Sequence, residues 1–274
     1  MENNKIHILG VRIDLLTIAQ INQLIIEQAS KPYHHPMIVF KPYVEFLSLA
    51  SRNNNIKDLI NSSDINVADS TAVAWAASYL YGRPATRWGL ISLFSSLVFR
   101  LQSKGWLTQI VPEQMSGVDQ TKPLLGRANQ LKLKVGIVGG PKDTTALSHS
   151  LEDRYKDIQL QCWSGFFDTA DEAELVNRIA DSQLDILFCA MGFPRQEKFI
   201  IKHKDALKSK VIIGEGGSFD YDQLGGAIKR SPALLRKLHL EWFWRLALQP
   251  KRLRRQFAIP SFIKKVYSEK KRIK

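Results

Sequence analysis

Four short stretches of the chain set reactive side chains beside residues small enough to admit a ligand. The first, INVADST at 65–71, ends an apolar run in the carboxylate of Asp69, followed by Ser70, Thr71 and an alanine-rich segment. Two readings fit: the Asp-Ser-Thr group caps a helix, or the run delivers a carboxylate that can accept a proton. The second, GIVGGPKDTT at 136–145, has the order strand, glycine turn, helix. Gly139 and Gly140 let backbone approach a ligand and the helix start offers unpaired N–H groups to an anion, although a plain tight turn explains the pattern equally well. The third, AMGFPRQEKF at 190–199, sets Gly192 after an apolar run and Pro194 where a helix begins, with Arg195, Gln196 and Glu197 in its first turn. Arginine there opposes the helix dipole unless it faces an anion such as a diphosphate. The fourth, GEGGSFDYDQLGG at 214–226, contains Gly217 and the pair Asp220 and Asp222. A D-x-D pair can hold a divalent cation on a nucleotide-sugar diphosphate, but the tripeptide is frequent by chance.

These residues can act together only if the fold gathers them. Apolar runs rich in β-branched residues at 37–40, 65–67, 135–138, 186–189 and 211–213 alternate with longer helical patterns. That alternation predicts an α/β fold, a Rossmann-like parallel sheet flanked by helices, in which ligands gather at the carboxyl ends of the strands. The dinucleotide fingerprint GxGxxG is absent, which disfavours a nucleotide-dependent oxidoreductase. With 274 residues, 45% of them hydrophobic, the chain can bury a sizeable core. Cys162 and Cys189 stand alone in apolar surroundings, which argues against a disulfide scaffold or a zinc site and fits a reducing compartment. The first residues lack a secretory pattern and no apolar run reaches the length of about 18 needed to span a bilayer. The stretch 88–106, apolar and then basic with a tryptophan at each end, suits an interfacial helix or a buried core helix.

Charge is unevenly distributed. The net charge of +13 arises between 229 and 274, where fifteen Lys and Arg face two acids, while the first 228 residues carry 24 basic and 24 acidic groups. The basic segment also holds Trp242, Phe243, Trp244, Phe257, Phe262 and Tyr267. We therefore divide the chain into a core, 1–228, carrying an apolar insert at about 88–112, and a basic, aromatic, helical C-terminal appendage, 229–274. Such a tail fits nucleic acid or an anionic membrane. Ile259, Phe262, Ile263 and Val266 favour the membrane, as apolar anchors for a polybasic segment.

Taken together, ADST at 68–71, GVD at 117–119, GIVGGP at 136–141, SGFFD at 164–168, AMGFPRQEKF at 190–199, GEGGSFD at 214–220 and the run KRSPALLRKLHLEWFWRLALQPKRLRRQ at 229–256 resemble, in order, the WecG/TagA/CpsF group of bacterial glycosyltransferases, glycosyltransferase family 26. The resemblance implies inverting transfer of a sugar, often N-acetylmannosamine, from a UDP-sugar donor to a polyprenyl-diphosphate-linked sugar acceptor. It implies a cytoplasmic protein, peripheral on the inner face of the cell membrane, with no metal and no other cofactor. Asp69 falls on the family's proposed general base. Gly139, Gly140, Gly192, Arg195, Gln196, Glu197, Gly217 and Asp220 fall on elements around the donor nucleotide and diphosphate. The appendage supplies arginines, so Arg252 and Arg255, in a cluster with Lys251 and Arg254 that must split between two helix faces, are assigned to the diphosphate.

The anionic membrane surface is then a partner, nucleic acid is not, and a second copy of the chain is a further candidate. Departures fall on the sugar side. The family's Thr-Pro-Asn-x-Glu is Lys41-Pro42-Tyr43-Val44-Glu45 here, its Ala-Asp-Gly is Ala-Asp-Ser, and an arginine is replaced by Gln114. A nucleic-acid-binding α/β protein that uses the basic segment is the alternative reading.

Overall fold

The structure, a computed structural model, describes residues 4–82, 108–113, 115–232, 235, 241–248 and 258–273. The stretch 88–106, Gln114 and the cluster Lys251, Arg252, Arg254 and Arg255 lie outside the described residues. The chain opens with an antiparallel hairpin of β1 (Lys5–Ile8) and β2 (Val11–Asp14). The two linking residues, Leu9 and Gly10, both have positive φ (52° and 80°), which matches the two-residue turn that a twisted hairpin prefers.

A six-stranded sheet follows, with the order β4 (Ile65–Asn66), β3 (Met37–Phe40), β8 (Val211–Gly214), β7 (Ile186–Ala190), β5 (Lys134–Gly139) and β6 (Gln159–Trp163). Every pairing in it is parallel, so all carboxyl ends open on one edge. The helices between them are α1 (Ile18–Ala29), α2 (Val44–Ala50), α3 (Asn54–Asn61), α4 (Thr71–Tyr81), α5 (Gly117–Gln130), α6 (Thr144–Arg154), α7 (Glu172–Asp181) and α8 (Arg195–His203). The chain leaves β5 towards β6 but leaves β7 towards β8, in opposite directions. A crevice is expected at such a switch point, here between the ends of β5 and β7.

The five expected strands are all present, each within a residue or two of the predicted bounds. Strands β1, β2 and β6 were not predicted. In β6, QLQCW, only Trp163 is buried, because this edge strand is covered on one side and reads as polar. Helix α4 is apolar all round, and Val73 to Ala77 pack with the hairpin, α2 and α3 in a second core beneath the sheet edge.

Beyond the main core, α9 (Glu241–Leu248) and α10 (Ala258–Ile273) belong to the basic segment. Helix α10 lies on α2 and α4. Phe262 and Val266 are fully buried in the second core, with Ile259 and Ile263 packed against it. The expected lipid anchors are therefore internal, because a helix with one apolar stripe buries it wherever an apolar neighbour is available. Polar contacts fix the same register: the Glu269 carboxylate accepts from the Leu9 amide at 3.0 Å, and Lys265 donates to the Ser48 carbonyl at 2.6 Å.

Phe262→Ala should therefore lower unfolding stability by about 3–5 kcal/mol, as for other buried aromatics. Urea melts check this, and a loss below about 1 kcal/mol would mean that α10 is not docked.

Candidate active site

Asp69 lies just past β4, at the carboxyl edge. Its amide donates to the Pro42 carbonyl at 3.2 Å, and it forms an isolated parallel bridge with Met115. Helix α4 starts two residues later, and its N-cap is Ser70, which makes no side-chain cap bond. The N-cap position thus falls on Ser70 of the Asp-Ser-Thr group, with Asp69 directly before it. Ser70 adopts φ 100°, ψ 150°, a region that is otherwise almost confined to glycine. This is the position at which the sequence departs from Ala-Asp-Gly, so a serine carries a glycine's backbone beside the carboxylate.

Next to Pro42, the buried Lys41 ammonium pairs with the Glu215 carboxylate, each directly after its strand, β3 and β8. Thr121 on α5 donates to Glu215 at 2.7 Å and accepts from Lys41 at 3.3 Å. Burying two opposite charges is tolerable only when they are mutually paired and further hydrogen-bonded, as here. The start of α5 presses on the loop after β8: a Cβ on Gly117 would lie 2.0 Å from the Ser218 hydroxyl oxygen, so a side chain there would require Ser218 to move. The sequence hinted at this cluster by setting a charge directly after each strand. The pairing itself, between residues 174 apart, was invisible there.

The glycine loops meet at the switch point. Gly139 has φ 100°, and a Cβ on it would come within 2.5 Å of the Ala190 carbonyl oxygen, so β5 and β7 approach closely enough to require glycine. The Gly140 amide donates to that same carbonyl at 3.0 Å. Gln196 is buried, and its side-chain oxygen accepts from both the Gly192 and Gly216 amides at 3.1 Å, which ties the loop after β7 to the loop that holds Gly217 after β8. Its amide nitrogen donates to Glu197 at 2.8 Å.

The Glu197 carboxyl is fully buried, and its second oxygen has no hydrogen-bond partner among the described residues. Burial, only partly offset by the Gln196 hydrogen bond, pushes its pKa up to about 7. In this conformation Gln196 and Glu197 shape the loops from within. Arg195 is exposed on the rim, donating to the Phe167 carbonyl at 3.2 Å with its guanidinium 4.6 Å from the Phe167 ring centre.

Asp220 lies half-buried after the loop of β8, where its carbonyl accepts from Ile228. Asp222 is exposed and accepts from the Arg230 amide at 3.3 Å, an ordinary turn role. Among the described residues no three His, Cys, Asp or Glu side chains form a group able to hold a metal ion. The edge thus gathers Asp69, the glycine loops, Arg195 and Asp220. Arg252 and Arg255 lie outside the described residues. Glu215, Thr121 and Arg230 are residues at this edge to which motif reading gave no role, and Lys41 was noted only as a departure from the family pattern.

Comparison with known proteins gives a consistent result. The profile described as the Glycosyl transferase WecG/TagA/CpsF family matches residues 6–108 and 105–274. An N-acetylglucosaminyldiphosphoundecaprenol N-acetyl-beta-D-mannosaminyltransferase of Staphylococcus aureus strain MRSA252 is 29% identical over 271 residues, covering 98% of this chain and 95% of the relative. Its counterpart in strain NCTC 8325 / PS 47 is 28% identical over the same coverage.

Two predictions follow from this geometry. Ser70→Gly relieves about 1–3 kcal/mol of backbone strain and gives back up to about 1 in chain entropy, so it should stabilise the protein by about 1 kcal/mol in urea melts. No gain, or a loss, would show that Ser70 is not strained. For Glu197 the raised pKa means that the folded state resists ionisation: the penalty is absent below the ordinary carboxyl value and complete above about 7. Glu197→Gln should match the wild type at low pH and exceed it by up to about 3 kcal/mol at pH 8. A stability difference independent of pH would exclude a buried ionisable carboxyl.

Proposed function

The chain belongs to the WecG/TagA/CpsF glycosyl transferase family, and on that premise we propose that it transfers a hexosamine from a UDP-sugar to a sugar carried on a polyprenyl diphosphate. The relatives' names give the acceptor class, a diphosphoundecaprenol-linked N-acetylglucosamine, and the transferred sugar, N-acetylmannosamine. The observation that carries the reading is Asp69, a carboxylate held at the same carboxyl edge of the parallel sheet as the glycine loops.

In the reaction an acceptor hydroxyl attacks the anomeric carbon from the face opposite the diphosphate. The new C–O bond forms as the bond to the diphosphate oxygen breaks, the hydroxyl proton passes to Asp69, and UDP leaves with the bonding electrons. Charge grows on the departing diphosphate, where Arg195, the loop N–H groups and, from the appendage, Arg252 and Arg255 would stabilise it. Gly139, Gly140, Gly192 and Gly217 let the backbone come close, and Gln196 with Glu197 holds those loops in place. Asp220, at the end of the same loop, takes part in binding the donor. No metal is required in this scheme.

The substrate also dictates the location. A polyprenyl diphosphate resides in the bilayer, and no helix among the described residues is long and apolar enough to cross one. In this reading the protein works at the inner face of the membrane, drawn there by the basic appendage, 229–274. With Phe262 and Val266 internal, exposed Lys264, Lys271 and Arg272 on α10 are among the charges available to anionic headgroups.

The test is to incubate the protein with UDP-N-acetylmannosamine and a soluble lipid-diphosphate N-acetylglucosamine analogue and to identify products by mass spectrometry. Asp69→Asn should keep the fold and donor binding while lowering turnover by about 10²–10⁴-fold, the range for loss of a general base. Turnover within about threefold of the wild type would remove Asp69 from the role of base.

A further inference from the structure

Arg230 stands just past the boundary between the core and the appendage, and its contacts point both ways. Its guanidinium donates to the two Asp119 oxygens, each at 2.6 Å, a bidentate pair, and also to the Ser116 hydroxyl at 3.1 Å and the Gln223 side chain at 3.1 Å. The arginine side chain is 7% exposed, against 48% for Asp119. Ser116 and Asp119 form the N-terminal cap of α5: the Ser116 hydroxyl accepts from the Asp119 amide and donates to its carboxylate at 2.7 Å. One residue earlier, Met115 forms the bridge with Asp69 and its carbonyl accepts from the Ser70 amide at 3.5 Å. In the other direction, the carbonyl of Lys229 accepts from the Trp244 indole of α9 at 3.0 Å.

We infer that Arg230 is a positioning residue that couples the appendage to the candidate base, setting Asp69 through the α5 cap and the Met115 bridge. The inference rests on the transferase reading for its catalytic consequence. Its mechanical part, from α9 through Arg230 to the Asp69 loop, stands on the contacts alone. A planar guanidinium that makes two parallel bonds fixes orientation as well as distance, which a lysine at the same place cannot do. Catalysis is steep in geometry: a displacement of about 1 Å can lower turnover about a hundredfold. A residue acting through orientation should therefore alter turnover more than donor affinity.

The experiment has a kinetic arm and a structural arm. Arg230→Ala should lower kcat by about tenfold or more while the KM for the UDP-sugar stays within about threefold, and Arg230→Lys should recover only part of the loss. Asp119→Ala should give a similar loss, and the double variant no further loss, since both residues act as one unit. Hydrogen exchange on the same variants should show faster exchange at the Ser70 amide, with the amides of β7 and β8 unchanged.

Exchange rates and kcat both at wild-type level in Arg230→Ala would overturn the inference, as would losses that add in the double variant. If Arg230→Ala fails to fold, the Asp119→Ala variant alone carries both arms. If the wild type transfers no sugar at all, the transferase reading fails, while faster exchange at Ser70 would still support the coupling.

Discussion

Backbone groups that end a buried parallel strand have no water to bond to, so each must find a partner in a neighbouring loop. At the carboxyl edge that requirement is met loop by loop: Asp69 to Pro42, Gly140 to Ala190, Glu215 to Cys189, and Gly192 with Gly216 to the Gln196 side chain. All but the Gly192 bond, which stays within the segment after β7, join chain segments that belong to different strands, so the edge behaves as one knitted surface. The position of Asp69 is a consequence of that knitting, since its backbone is held by the loop after β3 and by the segment before α5. The same closeness explains the glycines. Gly139 stands where a Cβ would enter the backbone of β7, and Gly117 where one would displace the Ser218 hydroxyl.

Carboxylates at this dry edge are handled in two ways. Glu215 meets an ammonium and a hydroxyl, which offset the cost of its burial. Glu197 has the Gln196 amide and a backbone hydrogen bond but no cationic partner among the described residues, and burial drives it towards the neutral form. Lys41, where the family pattern has threonine, therefore brings a buried ion pair to the carboxyl edge, one residue before the Pro42 carbonyl that accepts from the Asp69 amide.

The C-terminal segment shows how one composition serves two surfaces. Its charge reads at once as an attraction to anions, and the exposed lysines and arginine of α10 are consistent with that. Its apolar residues read equally as membrane anchors or as core, because a helical stripe does not say what covers it. In the fold the stripe of α10 is covered by α2 and α4. The helix is thus part of the protein's own packing, and any attraction of α10 to a membrane rests on charge more than on insertion.

The sequence by itself determined the parallel α/β sheet, because strands buried on both faces must be continuously apolar, and the runs that became β3, β5, β7 and β8 stand out for that reason. It also determined the ordered motifs around Asp69, Gly139, Gly192 and Gly217, since glycine turns and strand-end carboxylates are local signals. It did not show the edge strand β6 or the hairpin, whose half-exposed faces dilute the apolar pattern. Only the tertiary structure decided that Gln196 and Glu197 face inward, that Lys41 meets Glu215, that Arg230 grips Asp119, and that Phe262 is core. Apart from the local turn of Gln196 towards Glu197, these are contacts between residues far apart in the chain. A side chain's partner is set by where the folded elements bring it, which no local spacing encodes.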